Sequence, residues 1–334
     1  MKNLKFNRLL FVLTFVTIYS IVMAFPKINY DFHTSLAPVS AIASGMGGNP
    51  IYSAGDPFTA YFNSASLGLV EKENVGISYK YSPKSPESIY QSIHILNFVQ
   101  KGHVLGIGMS APKGSMLYFP IVDKHENTMS DSLHKSYKDF TLNSFQLAIS
   151  EKQKNYIFGL TCKYLYGRLV NLNQELNENN WQTESFFDDK AKGFSLDFSG
   201  IYKKGNILAG VSFYDLLSKI YWENSSNKNL TKRVSYGVQK NTENSLFYVS
   251  ILQKAQIKTK KEYHFGYEKI IKRKASTVNF RTGCYSKDFK SQEDIFFTFG
   301  TSYMIKSFKI DIAIINNKWL INNNQYIATI SFGK

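Results

Sequence analysis

The sequence predicts an all-β protein: a transmembrane antiparallel β-barrel of about fourteen strands with an N-terminal hatch or plug in its lumen. Three observations carry that expectation. From Val75 to Phe332 the chain divides into segments of about nine to eleven residues that alternate apolar with polar or small side chains. Segments begin near Val75, Tyr90, His103, Thr141, Tyr156, Gly193, Asn206, Lys232, Leu246, Glu262, Ser276, Asp294, Ser307 and Asn324, an even number. The connections alternate in length, with Pro112–Phe140, Gly167–Lys192 and Asp215–Thr231 long and polar, and Lys204-Gly205, Asn241-Thr242-Glu243 and Ile271–Lys274 short. Long loops at one end and tight turns at the other are the asymmetry of membrane barrels, whose termini lie at the tight-turn end.

The first 24 residues read as an export signal. Lys2, Lys5 and Arg8 supply the basic start, an apolar run extends from Leu9 to Met23, and Val22-Met23-Ala24 offers small residues for cleavage after Ala24. The run is shorter than the roughly 20 residues that comfortably span a bilayer as a helix, which argues against an uncleaved anchor. No cysteine stands near the cleavage point for a lipid anchor, and no later apolar run approaches helical membrane length.

Residues 25–74 lack the alternation and are rich in glycine, alanine and serine, as in Ala41-Ile42-Ala43-Ser44-Gly45-Met46-Gly47-Gly48. Tyr52, Phe58, Tyr61, Phe62 and Leu67 make the segment too apolar for easy disorder, so it reads as the hatch.

Residues 75–334 form the expected barrel. Phe194, Leu196, Phe198 and Tyr202 share one face of a segment whose other face carries Ser195, Asp197, Ser199 and Lys203. Phe308, Ile310, Ile312 and Ile314 likewise oppose Lys309, Asp311 and Ala313. Parity separates an oily face from a wet one and leaves open which of them is inside, since a soluble sandwich also alternates.

Aromatic residues make up 15% of the chain, with 22 Tyr and 26 Phe, which suits strands and membrane girdles. Mean hydropathy is slightly polar at -0.24. Removing Lys2, Lys5 and Arg8 lowers the formal charge from +15 to +12. The remaining charge is dispersed over turns and alternating positions, with no arginine-rich helix or zinc pattern, so no nucleic-acid partner is expected. Cys162 and Cys284 sit among apolar neighbours of the same parity and read as small fillers, not as a disulfide or a metal pair.

Gly45-Met46-Gly47-Gly48, then Asp56, then Tyr61-Phe62-Asn63-Ser64-Ala65-Ser66-Leu67-Gly68 resembles the N-terminal signature of the FadL-like outer-membrane proteins, particularly their PorV/PorQ-type branch. Asn63, Ala65, Leu67 and Gly68 match that pattern, while Ser64 stands where the family usually has proline. Phe158-Gly159-Leu160-Thr161-Cys162-Lys163-Tyr164 and Gly193-Phe194-Ser195-Leu196-Asp197-Phe198-Ser199-Gly200 also resemble strands of the family, and Asp215 occupies a place where Asn often follows. The resemblance implies a fourteen-strand barrel with a lumenal hatch in the outer membrane of a diderm bacterium. It implies passive uptake of hydrophobic molecules such as long-chain fatty acids or, in the PorV-like members, service to a protein secretion apparatus.

Membrane lipids and hydrophobic small molecules are the expected partners, with secretion-system proteins as the alternative. No enzyme is expected, and no cofactor or metal. The six histidines have no metal-ligand spacing, and no Gly-x-Ser-x-Gly elbow occurs. The lumen-facing charged candidates are Lys80, Lys163, Asp197, Lys203, Arg233, Glu268, Arg281, Lys309 and Asp311. Asp197, Arg233 and Arg281 are the candidate ligand contacts, the arginines because a guanidinium pairs a carboxylate bidentately. The candidate hatch residues are Gly45, Gly47, Gly48, Asp56, Asn63, Ala65, Leu67 and Gly68.

Overall fold

The computed structural model describes residues 39–48, 50–53, 55–71, 74–82, 85–100, 103–113, 121–122, 134–177, 180–254, 261–286, 295–316 and 324–333. The expected signal segment, residues 1–24, lies outside the described residues.

Alternation over short segments bounded by turn residues produces strands, and here the strands join into one closed sheet. In chain order they are β1 (Asn74–Ser82), β2 (Ser85–Gln100), β3 (His103–Lys113), β4 (Ile121–Val122), β5 (His134–Gln153), β6 (Tyr156–Asn177), β7 (Asn180–Lys204) and β8 (Ile207–Trp222). They continue with β9 (Arg233–Asn241), β10 (Ser245–Lys254), β11 (Lys261–Lys272), β12 (Ser276–Ser286), β13 (Ile295–Ile305), β14 (Phe308–Asn316) and β15 (Gln325–Gly333). Neighbours in sequence pair antiparallel, β1 pairs with β15, and β3 pairs with β5 from Leu105↔Glu151 to Ser110↔Gln146. The two-residue β4 flanks β5 outside this ring, so the closed wall has fourteen strands.

Parity now acquires a direction. On β14 Phe308, Ile310, Ile312 and Ile314 are exposed while Lys309, Asp311, Ala313 and Ile315 are buried. On β13 the exposed Phe297, Phe299 and Tyr303 alternate with the buried Thr298 and Ser302. The oily face is outside and the wet face inside, the reverse of a soluble sandwich, and among the described residues large apolar side chains form an outward belt on β1 and from β5 to β15. An apolar surface of this extent requires an apolar solvent. Closure follows from the same solvent, because an unpaired strand edge in hydrocarbon would leave backbone donors and acceptors unsatisfied. Among the described residues no helix is long and apolar enough to cross a membrane.

The tight turns occur where the sequence places them, and Lys154, Gly205 and Lys306 take the positive φ that such turns demand, at 55°, 56° and 52°. At the other end two expected loops are strands. Gly167–Lys192 is continuous hairpin: β6 and β7 run for 22 and 25 residues and pair out to Asn177↔Asn180. Asp215–Thr231 is strand as far as Trp222, with Asp215 at φ 59° where the β7–β8 register shifts between Leu196 and Phe198. Lys203, expected in the lumen, is exposed at its turn. Cys162 and Cys284 are unbridged.

Residues 39–71 occupy the lumen with α1 (Ala41–Gly45), α2 (Thr59–Phe62) and a 3-10 helix (Ser64–Leu69). Their contacts reach β12–β15 from α1, and β3, β5, β6 and β7 from the 3-10 helix, which places the segment across the barrel.

The orientation of the wall predicts a depth-dependent penalty. Phe299→Arg, at a belt position 56% exposed, should destabilise the bilayer-inserted barrel by about 2–4 kcal/mol in a urea titration in vesicles. An unchanged midpoint would contradict the assignment of the oily face to lipid.

Candidate functional site

The lumen is organised around the seat of the hatch. Its first part is a track of bare backbone. Gly266, Gly283 and Gly300 lie on β11, β12 and β13, and Gly266 pairs directly with Gly283. The glycine-rich turn after α1 rests on them: a Cβ on Gly283 would stand 2.5 Å from the Gly47 nitrogen, one on Gly266 2.4 Å from the Met46 oxygen, and one on Gly300 3.1 Å from Gly45 Cα. Gly47 itself has φ +81°, and a Cβ there would lie 2.4 Å from the Phe265 oxygen. Only glycine on both sides allows the two backbones this approach.

Polar side chains fix the register. The Gly47 amide donates to Thr298 Oγ1 at 2.9 Å, and that hydroxyl donates to the Gly45 oxygen at 3.1 Å. Ala41 donates to Thr329 Oγ1 at 2.9 Å, His264 Nδ1 donates to the Gly47 oxygen at 2.7 Å, and the Tyr248 hydroxyl donates to the Met46 oxygen. Further along, Tyr52 and Gln239 exchange two hydrogen bonds, 3.1 Å from the Tyr52 amide and 2.8 Å to its carbonyl.

The second part holds the Tyr61–Gly68 motif. Asn63 caps the 3-10 helix by accepting from the Ala65 amide at 3.0 Å, and Ser199 Oγ accepts from the same amide at 2.8 Å. Ser64, the departure from the family pattern, hydrogen-bonds Ser199 through its hydroxyl at 2.7 Å. Ser212 and Tyr214 both donate to the Phe62 oxygen. Leu67 is buried with Ala60 and Ala148, and a Cβ on Gly68 would meet Ile157 Cγ2 at 2.6 Å.

Asp56 ties the segment to itself and faces the wall. It accepts from Ser40 Oγ at 2.7 Å and from the Phe58 amide at 2.9 Å. Gly48 ends the turn with φ 97°. All eight residues of the candidate hatch motif lie in this segment, and all eight are buried.

Two buried ion networks stiffen the wall beneath the hatch. In one, Lys163 Nζ lies 2.7 Å from Asp197 and 3.1 Å from Asp215, whose other oxygen is 2.7 Å from Arg233 Nη2. Ser195 donates to Asp215 at 2.8 Å, and the Tyr214 ring lies beside both cations. In the other, Arg281 is 2.8 Å from Glu268, 3.0 Å from Asp311 and 3.1 Å from Ser302, and Lys309 is 3.4 Å from Asp311. Asp197 and Arg233 thus share one cluster through Lys163 and Asp215, and Arg281 belongs to a second. Each network balances charges internally, and removal of one partner from such a pair typically costs about 3–5 kcal/mol.

Sequence reasoning placed the charged members on the wet face and missed the seats: Ser199, Ser212, Tyr214, Tyr248, His264, Thr298 and Thr329. Their only sequence signal is wet-face parity, which Ser and Thr share with every other lumenal position. Among the described residues no group of three or more His, Cys, Asp or Glu is placed to hold a metal ion.

Burial pushes the Asp56 carboxyl up to about 6 from its ordinary 3.8, against the lowering pull of Ser40, the Phe58 amide and Lys309. The seated hatch therefore holds a proton that an opened hatch loses between those values. Seating is strongest below about pH 4, weakens as pH rises through about 6, and is constant above, a change of roughly 3 kcal/mol. Hydrogen-exchange protection at Ala41–Gly48, corrected for intrinsic rates, should fall between about pH 4 and 6 and level off above in the native chain, and stay flat in Asp56→Asn. A fall of equal size in both would remove Asp56 from the account.

No protein-family model matches the sequence, and no curated protein matches it. Solved structures do match the fold. The toluene transporter TbuX of Ralstonia pickettii superposes with TM-score 0.62 at 13% identity, covering 90% of this chain and 99% of that one. The CymD monoaromatic hydrocarbon channel gives 0.63 at 8%, with 90% and 98% covered. A FadL homologue of Pseudomonas aeruginosa gives 0.57 at 9%, with 91% and 99% covered. At these identities the likeness is one of fold: this chain has the β-barrel architecture of those hydrocarbon channels and of the FadL homologue.

Proposed function

We propose that the protein is an outer-membrane channel for passive uptake of hydrophobic molecules, such as long-chain fatty acids or monoaromatic hydrocarbons. The carrying observation is a lumen closed by a segment of the same chain, seated by bare-backbone contact and single hydrogen bonds. Apolar contacts add to the seat, with Ile51, Ala65 and Leu69 against Ile157, Ile201 and Leu208 and with Ile42 and Met46 against Leu246 and Tyr248, but they are divided among separate small clusters. The fold shared with the toluene transporter and the hydrocarbon channel supports the same reading. In this reading residues 1–24 are the export signal, 25–74 the hatch and 75–334 the barrel. Neutral hydrophobic solutes suit a wall whose charges are already paired, and Asp197, Arg233 and Arg281 would meet a ligand carboxylate only by exchanging a present partner for it.

A second reading, a PorV/PorQ-type barrel that docks secretion or surface partners, is favoured by the β6–β7 hairpin. Its strands of 22 and 25 residues are about twice the 9–11 needed to span a membrane, and Phe186 and Phe187 are both exposed on it.

Gly45→Val separates the readings. Its Cβ would stand 2.9 Å from Gly300 Cα, so the side chain pushes the hatch off the wall, and the substitution is on the hatch and leaves every wall strand unchanged. In cells expressing the full chain, oleate and toluene uptake should exceed that of vector controls and rise several-fold further in the variant. A correctly inserted barrel that gives no uptake in either form, and copurifies with a stoichiometric protein, would replace this reading with the second.

A further inference from the structure

The outward face of the wall ends, on the side of the tight turns, in a collar of cations. Lys204 follows Tyr202 at outward parity on β7, Lys240 follows Val238 on β9, Lys269 follows Tyr267 on β11, and Arg273 stands just past the end of β11, two residues after Ile271. Lys154 precedes Tyr156 in the β5–β6 turn. All five are exposed, and among the described residues none of them is in an ion pair. The acids described at this end are Glu151 on β5, Glu243 in the β9–β10 turn, Glu71 at the end of the hatch segment and the lumenal Glu268, which pairs with Arg281, so positive charge prevails on the outward face.

The height of the belt fits the collar to a lipid interface. Lys192 and Lys204 on β7, and Lys261 on β11 with Arg273 just past its end, are exposed cations twelve residues apart. Twelve residues at about 3.4 Å, tilted by about 40°, span about 31 Å of membrane normal, close to a hydrocarbon core of about 30 Å. Long basic side chains at such a boundary lay their stems on the apolar belt and carry their charge to the headgroups.

We propose that the collar of Lys154, Lys204, Lys240, Lys269 and Arg273 binds the phosphate headgroups of anionic phospholipids in the leaflet at the tight-turn end. The proposal rests on the membrane reading given above. The cations lie along the arc of wall from the β5–β6 turn to the β11–β12 turn, each next to an apolar or aromatic neighbour of the belt. They therefore stand at the height where the belt gives way to headgroups, which is where a lipid phosphate would meet them.

The test uses the full chain taken from vesicles of equal phosphatidylglycerol and phosphatidylethanolamine with matched acyl chains, with retained lipid counted by native mass spectrometry. Lys204→Gln/Lys269→Gln/Arg273→Gln removes outward charge. Lys203→Gln/Lys272→Gln removes charge at the same turns but at lumenal parity. The native chain and the lumenal-parity variant should retain phosphatidylglycerol preferentially, and the outward variant should lose that preference by a factor of about five per cation removed. Equal retention of the two lipids by the native chain, or equal loss in both variants, overturns the proposal while the barrel stands. Absence of a heat-dependent gel shift in the native chain overturns the membrane reading and the proposal with it.

Discussion

Hydrocarbon cannot hydrogen-bond a peptide group, and the rest of this structure depends on that constraint. Every strand of the wall must pair on both sides, so the sheet closes by β1 against β15 and by β3 against β5. With the backbone satisfied within the wall, side chains are free to sort by parity, oily outward and polar inward. The inversion also explains the buried charges. Lys163, Asp197, Asp215 and Arg233 are far from bulk water and remain ionisable company for one another only because each finds its partner across neighbouring strands.

A wet inner face creates a second problem, since a lumen of polar side chains must be filled or flooded. Residues 39–71 fill it with small residues and short helices whose own polar groups match the wall. Where the hatch backbone touches the wall backbone, the wall residue is glycine, as Gly283 against Gly47 and Gly159 against Ala65, and where it stands off, a serine, threonine or tyrosine hydroxyl bridges the gap. The seat is specific in register, and small apolar clusters such as Ile42 and Met46 with Leu246 and Tyr248 pack beside its hydrogen bonds.

Much of the wall was legible in the sequence because alternation and turn chemistry are local. Segments such as Phe308–Ile314 declare their parity, and Lys204-Gly205 declares its turn. The direction of that parity was not local: it emerges only when closure places Asp311 inside and Ile312 outside. The long β6–β7 hairpin resembles loop in the sequence because Asn171, Asn173 and Gln174 lie beyond the belt, where no apolar face is demanded and alternation fades. Asp215 resembles the start of a loop for a related reason, since a turn-forming residue at positive φ inside a strand is rare.

The hatch motif was visible as composition, but its seat was not. Gly47 meets Thr298 across 251 residues of sequence, and Ala65 meets Ser199 across 134. Neither hydroxyl differs locally from other wet-face residues. What marks them is the register of the strands that carry them, and only the closed barrel sets that register.

The central claim is that this segment sits inside the closed wall in the native chain. The Ser64 and Ser199 hydroxyls, 2.7 Å apart, allow a direct measurement: Ser64→Cys with Ser199→Cys, in a chain whose Cys162 and Cys284 are replaced by Ala, oxidised in intact membranes. The account predicts an internal disulfide in nearly every heat-modifiable barrel. Heat-modifiable barrels whose two cysteines stay reduced and open to a membrane-impermeant thiol reagent would contradict it.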